Sequence, residues 1–201
     1  MALTMSGRKK KMFGTKAETL ARTRELCSQI KIPTFFHFSE AEWLANRTNL
    51  LGQIQQTFEA EHHAIAVRSS AANEDGEQLS LAGQFESILN IDPGNTEEVE
   101  AAVDTVFSSY EAGEGNQVLI QEMVTNSQCS GVAMSHDLKT GAPYYSINYD
   151  DESGKTDRVT GGVGEHKTVF VHHSTKRKQI KSKNIERIVE LIRLLQKTLG
   201  T

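Results

Sequence analysis

Ala64-Ile65-Ala66-Val67-Arg68-Ser69-Ser70-Ala71-Ala72-Asn73-Glu74-Asp75-Gly76, continued by Ser80-Leu81-Ala82-Gly83-Gln84-Phe85-Glu86-Ser87-Ile88-Leu89-Asn90, decides how the rest of the chain is read. Ala64 to Val67 is a short apolar run that suits a buried strand. It delivers Arg68 at its end, and small polar residues follow that let backbone amides come close to a ligand. Phe85, Ile88 and Leu89 mark a second, outgoing strand. Gly83, just before it, has no side chain to hold anionic oxygens away. A guanidinium fork beside two hydroxyls and a glycine-bearing loop is chemistry suited to an anion. The plain alternative is a β-hairpin with a surface arginine, since glycine loops are common.

Working outward, Gly14 or Thr15 opens a helix that runs to about Ser28, with Leu20 and Cys27 on one face. Lys16 sits in its first turn, where a cation opposes the helix dipole and so points to an anion nearby. A surface lysine is the bland alternative. Pro33 keeps Ile32 out of the helical region, so Lys31 to Phe36 is a short extended piece. Ser39 and Glu42 form a capping box for a helix carrying Trp43, Leu50, Leu51, Ile54 and Phe58 near one face, and Trp43 reads as core.

Beyond the hairpin, Asp92-Pro93-Gly94-Asn95 is a turn, and Asn95 with Glu98 starts another helix. Its apolar face runs through Val99, Ala102, Val103, Val106, Phe107 and Tyr110, and Ala112 to Asn116 closes it. Strands are expected over Gln117 to Val124, Ser130 to Ser135, Tyr144 to Asp150 and Thr168 to His172. Asn184 caps a last helix with Ile185, Ile188, Val189, Ile192 and Leu195 on one side. The fold class is therefore α+β: a helical N-terminal part, then a mixed or antiparallel sheet covered by helices.

The 201 residues suffice for one domain or two small lobes. A net charge of -4 gives no general attraction to nucleic acid or to an anionic membrane. No apolar run approaches the ~20 residues of a membrane helix, and Met1 to Lys11 lacks the apolar core of a signal peptide. Two basic runs, Arg8 to Lys11 and Lys176 to Lys183, read as solvated segments, because no aromatic residues interleave to stack on bases. Cys27 and Cys129 show no metal-ligand spacing and suit free thiols in a reducing cytoplasm, with one disulfide left open. The pairs His62-His63 and His172-His173 make poor chelates, since neighbouring strand residues point to opposite faces.

Val67-Arg68-Ser69-Ser70-Ala71, Glu74-Asp75, Ser80-Leu81-Ala82-Gly83-Gln84-Phe85-Glu86 and Leu89-Asn90, in that order, resemble the nucleotide-binding domain of the pyruvate phosphate dikinase and phosphoenolpyruvate synthase family. Rifampicin phosphotransferase shares that domain. The resemblance covers about Phe13 to Leu195 and implies an ATP-grasp-like fold and transfer of a phosphoryl group from ATP. In the family that group commonly travels through a histidine on another domain. By the same resemblance Arg68 clamps the phosphates, with Ser69 beside it, and Lys16 neutralises them; these two are the catalytic candidates. Thr15 stands where family members often carry glycine. Gly83 and its neighbouring amides line the phosphate path, and Ser87 lies near the γ-phosphate.

Gln121, Glu122 and Met123 take adenine by this resemblance, with backbone groups on the base edge and the Met123 thioether on the flat face. Read alone, that strand is an ordinary core strand with Gln121 and Glu122 exposed. Ser153-Gly154 and Gly164-Glu165 match a family segment that lines the cleft, and Glu165 is either a ribose contact or a surface carboxylate.

ATP and magnesium are the implied cofactors. The family's metal ligands lie beyond the last helix, so no residue here is assigned to metal, and the chain alone is expected to bind nucleotide weakly and turn over little. The expected organisation is a flexible tail over 1–12, a helical subdomain over 13–62 and an α+β ATP-grasp subdomain over 63–175. A C-terminal helix over 176–201 would open a subdomain that is cut short. Expected partners are the nucleotide and further domains of a longer parent, one carrying a phosphohistidine and one binding the acceptor. Nucleic acid and membrane are not expected, and the setting is cytoplasmic. A reading from a different class is a non-catalytic nucleotide sensor or protein-interaction module that keeps the fold without the chemistry.

Overall fold

The computed structural model describes residues 14–58, 64–71, 87–110, 115–154, 156, 159 and 166–199. The tail expected over 1–12 lies outside them. The chain forms two compact units, one comprising residues up to Glu25 with Thr34–Gln121, the other Leu26–Pro33 with Glu122–Thr201.

In the first unit, α1 (Lys16–Leu26), β1 (Phe35–Ser39), α2 (Glu40–Phe58), β2 (Ile65–Ser70), β3 (Ser87–Ile91), α3 (Thr96–Ser108) and β4 (Gln117–Glu122) follow in chain order. The sheet order is β1-β4-β2-β3. β1 runs antiparallel to β4, from Phe35 opposite Gln121 to Ser39 opposite Gln117. β2 and β3 form the expected antiparallel hairpin, with Arg68 opposite Ser87 and Val67 opposite Ile88. The register slips before Ile65 meets Ile91, leaving one extra residue in β3. Asn90 there takes the left-handed conformation, φ 63°, which asparagine tolerates better than most residues.

Helices cover both faces of this sheet. On one, Phe36 and Phe38, Val118 and Ile120, and Ile65 and Val67 pack against Trp43, Leu50, Ile54 and Phe58 of α2 and the apolar stripe of α3. On the other lies α1, whose Arg24 guanidinium sits 4.3 Å over the Phe35 ring. A strand packed on both sides needs no polar alternation, which is why Ile65 to Val67 is continuously apolar.

Local signals set the helix ends. Ser39 N–H and its hydroxyl both donate to Glu42 Oε2, at 2.8 and 2.7 Å, and Glu42 N–H returns a bond to Ser39 Oγ. The Ser39 backbone bond first, and then the hydroxyl, hold the Glu42 carboxyl below its ordinary range. α2 bends at Asn46, whose φ of -138° is not helical. The Trp43 indole and Arg47 both donate to Asp104 Oδ1, tying α2 to α3. Asn95 caps α3 by accepting from Glu98 N–H.

The second unit carries a three-stranded antiparallel sheet, β5 (Ser130–Met134), β6 (Tyr144–Asp150) and β7 (Lys167–His172), with β6 in the middle. α4 (Lys183–Leu199) places Ile185, Val189 and Ile192 against Tyr145, Ile147, Tyr149 and Val171. Asn184 lies inside this helix. The hydroxyl that serves its first turn is Ser182, which receives Ile185 N–H at 3.4 Å, while Ser182 O receives Glu186 N–H. Serine and asparagine cap about equally well, so two such residues two positions apart do not show which one wins.

Both cysteines are free, Cys27 buried and Cys129 partly so. Burial pushes the Cys129 thiol pKa up, with Asp151 and Asp150 adding to it. Among the described residues no helix is long and apolar enough to cross a membrane.

Candidate functional site

β2 carries its polar residues to the edge of a doubly covered layer, where each of them needs a partner. Arg68, Ser69 and Ser70 occupy its last three positions, and both serines are buried. Lys16, in the first turn of α1, sends its ammonium to the Ser69 carbonyl at 3.1 Å. Residues 53 apart in sequence thus meet at one strand end. Arg68 Nη1 donates to Gln121 Oε1 on the neighbouring strand at 3.3 Å. Arg68 Nε is buried and has no hydrogen-bond partner among the described residues. A buried donor left unmade is costly, and it marks a position where an acceptor would be welcome.

Lys16, Arg68, Ser69 and Gln121 therefore lie together in the first unit. Ser87 joins them as the cross-strand neighbour of Arg68. Glu122 closes β4, and Met123 follows outside the strand, which is shorter than the expected run to Val124. Gly83 and Glu165, with the glycine-rich segments around them, lie outside the described residues.

Sequence reasoning missed the polar frame around Lys16. Thr15 Oγ1 accepts from Glu18 N–H and Glu18 Oε2 accepts from Thr15 N–H, which is a capping box at the start of α1. The Thr15 to Glu18 spacing was a legible signal for it. Thr15 Oγ1 also donates to Gln117 Oε1 at 2.7 Å, and Ala17 N–H donates to Ser70 Oγ at 2.9 Å. Tyr110, read as part of an apolar stripe, receives Ser70 N–H on its hydroxyl and donates that hydroxyl to the Gln117 carbonyl. No sequence signal separates this tyrosine from a core aromatic.

A shallow depression in the second unit is lined by Lys176, Arg177, Lys178 and Glu186. Arg177 is ion-paired there with Glu186 and Glu190.

An α+β fold with two basic side chains at one strand end defines a candidate domain for binding an anionic ligand, of ATP-grasp-like build. The family model for the AMP/ATP-binding domain of pyruvate phosphate dikinase matches residues 37–197, and the chain belongs to that family. It is the AMP/ATP-binding part of enzymes of the pyruvate phosphate dikinase kind. The match takes in Arg68, Ser69 and Gln121, while Lys16 precedes it. No curated protein matches the chain. The family implies magnesium, yet among the described residues no three His, Cys, Asp or Glu side chains converge, so no residue is assigned to it.

Proposed function

We propose that the chain binds ATP against the end of β2 and serves an ATP-dependent phosphotransferase of the pyruvate phosphate dikinase and phosphoenolpyruvate synthase type. Lys16 exchanges the Ser69 carbonyl for a phosphate oxygen, and Arg68 clamps the phosphates through its fork. Ser69, Gly83 and Ser87 line the phosphate path. Gln121, Glu122 and Met123 receive adenine, and Glu165 receives the ribose. The phosphoryl group then leaves for an acceptor held by further domains of the parent protein, by way of a histidine. Magnesium, when bound, neutralises phosphate charge during such a transfer. The setting is cytoplasmic, in keeping with two free cysteines.

One observation carries this reading. Two cations from distant parts of the chain meet at one strand end, and one of them keeps a buried N–H without an acceptor among the described residues. Titration calorimetry with ATP tests it. Arg68→Ala and Lys16→Ala should each weaken binding by roughly 10- to 100-fold, the scale of one charged hydrogen bond. Wild-type affinity in both variants would remove the reading.

A further inference from the structure

Ser70 ends β2, is fully buried and uses its hydroxyl oxygen and its backbone N–H at once. Its Oγ receives Ala17 N–H at 2.9 Å, and its own N–H goes to the Tyr110 hydroxyl at 2.9 Å. That hydroxyl donates to the Gln117 carbonyl at 2.6 Å, and the Gln117 side-chain oxygen receives the Thr15 hydroxyl at 2.7 Å. Thr15 precedes Lys16 and Ala17 follows it. The hydrogen bonds therefore run from α1 through β4, Tyr110 and β2 back to α1, and they close around the backbone of one residue, Lys16.

α1 buries only Ala17 and Thr23, so apolar packing leaves its rotation and sliding on the sheet weakly determined. Directional bonds on both sides of Lys16 remove that freedom. Ala17 N–H is one of the amides at a helix start that has no partner within the helix, and here a hydroxyl from another strand supplies it. Such a bond fixes where the first turn sits, and with it the base of the lysine side chain.

We infer that Ser70 and Tyr110 are positioning residues for Lys16 at the phosphate site, acting through the first turn of α1; this rests on the nucleotide reading above. Neither touches the ligand. Tyr110 holds Ser70, Ser70 holds Ala17, and the ammonium is thereby kept at the end of the strand that carries Arg68.

Calorimetric titrations of the whole protein with ATP and with adenosine, which has no phosphates, test this. Ser70→Ala and Tyr110→Phe should each weaken ATP about tenfold, the scale of one buried hydrogen bond, and leave adenosine unchanged. In a Lys16→Ala background the same substitutions should add nothing, because the group they position is gone. Equal weakening of ATP and adenosine would mean general loosening and would overturn the inference. So would additive losses in the Lys16→Ala background. Should Ser70→Ala fail to fold, Tyr110→Phe decides alone by the same two criteria. Failure of the nucleotide reading looks different: wild type does not bind ATP, or Lys16→Ala and Arg68→Ala both bind it as wild type does; Lys16→Ala alone binding as wild type removes only the positioning role. If Lys16→Ala loses ATP while Ser70→Ala and Tyr110→Phe do not, only the positioning role falls.

Discussion

The two sheets bury their strands differently. β2 in the first unit is buried at every position except the half-buried Arg68, because helices lie on both of its faces. β6 in the second unit alternates, with Tyr145, Ile147 and Tyr149 buried under α4 and Tyr144 exposed. The contrast shows where polar residues acquire work to do. Ser146 and Asn148 of β6 lie on the face away from α4 and are only half-buried, so water can meet part of their demand. Ser69, Ser70 and Arg68 sit between layers, so each must find a protein partner or a ligand. Ser70 finds Ala17 and Tyr110, whereas Arg68 is satisfied at Nη1 and, among the described residues, unmet at Nε.

The largest effect that could break this comparison comes from the core. Ile54→Ala empties a fully buried position in the first unit and should cost about 2–5 kcal/mol. Phe170→Ala removes a larger side chain from the open face of the second sheet, 57% exposed, and should stay within roughly 0.5 kcal/mol. Urea unfolding followed at Trp43, the single tryptophan, reads the first, and circular dichroism reads the second. A Phe170→Ala loss as large as that of Ile54→Ala would mean that this face is covered in solution.

Asn90→Val comes next. It puts a β-branched residue at φ 63° and should cost about 1–2 kcal/mol in the same urea assay, while Asn90→Gly stays near neutral. Equal losses would place the cost in the asparagine side chain instead of the backbone. Smaller still, Arg68→Leu takes out of the doubly covered layer a buried donor that has no acceptor among the described residues. It should leave thermal stability unchanged or raise it by about 1 kcal/mol, while weakening ATP. A marked loss of stability would show that the guanidinium is already satisfied without nucleotide.

Most of the scaffold was legible because its signals are local. The apolar run into β2, the Ser39–Glu42 box, the Asn95 cap and the apolar stripe of α3 each lie within a few residues, and each formed as its spacing implied. What stayed hidden depends on meetings across the chain. Ala17 reaches Ser70 across 53 residues, and Ser70 reaches Tyr110 across 40. Tyr110 fits an apolar helix face by spacing, and its hydroxyl gains a role only once β2 and β4 lie side by side. The meeting of Lys16 with the end of β2 follows from the order of motifs in the family, not from any spacing. The end of β4 and the choice of Ser182 over Asn184 depended on neighbours that a local pattern does not contain.

Finest in scale is the acid response of the capping box that joins β1 to α2. Glu42 has its pKa lowered from 4.5 by the Ser39 backbone bond and then by the Ser39 hydroxyl, so the unfolded chain binds its proton more readily than the folded one. The stability this contributes is present above the ordinary carboxylate value. It is lost as pH falls through the depressed one. Glu42→Gln keeps an acceptor for Ser39 but cannot titrate. Its stability should therefore fall less than wild type between about pH 5 and pH 3, a window set by the ordinary carboxylate range. Because Glu42 is largely exposed, the difference should be small and should shrink further in high salt. Identical acid profiles for wild type and Glu42→Gln, measured by urea midpoint at each pH, would show that the box holds α2 by geometry alone and that its charge adds nothing.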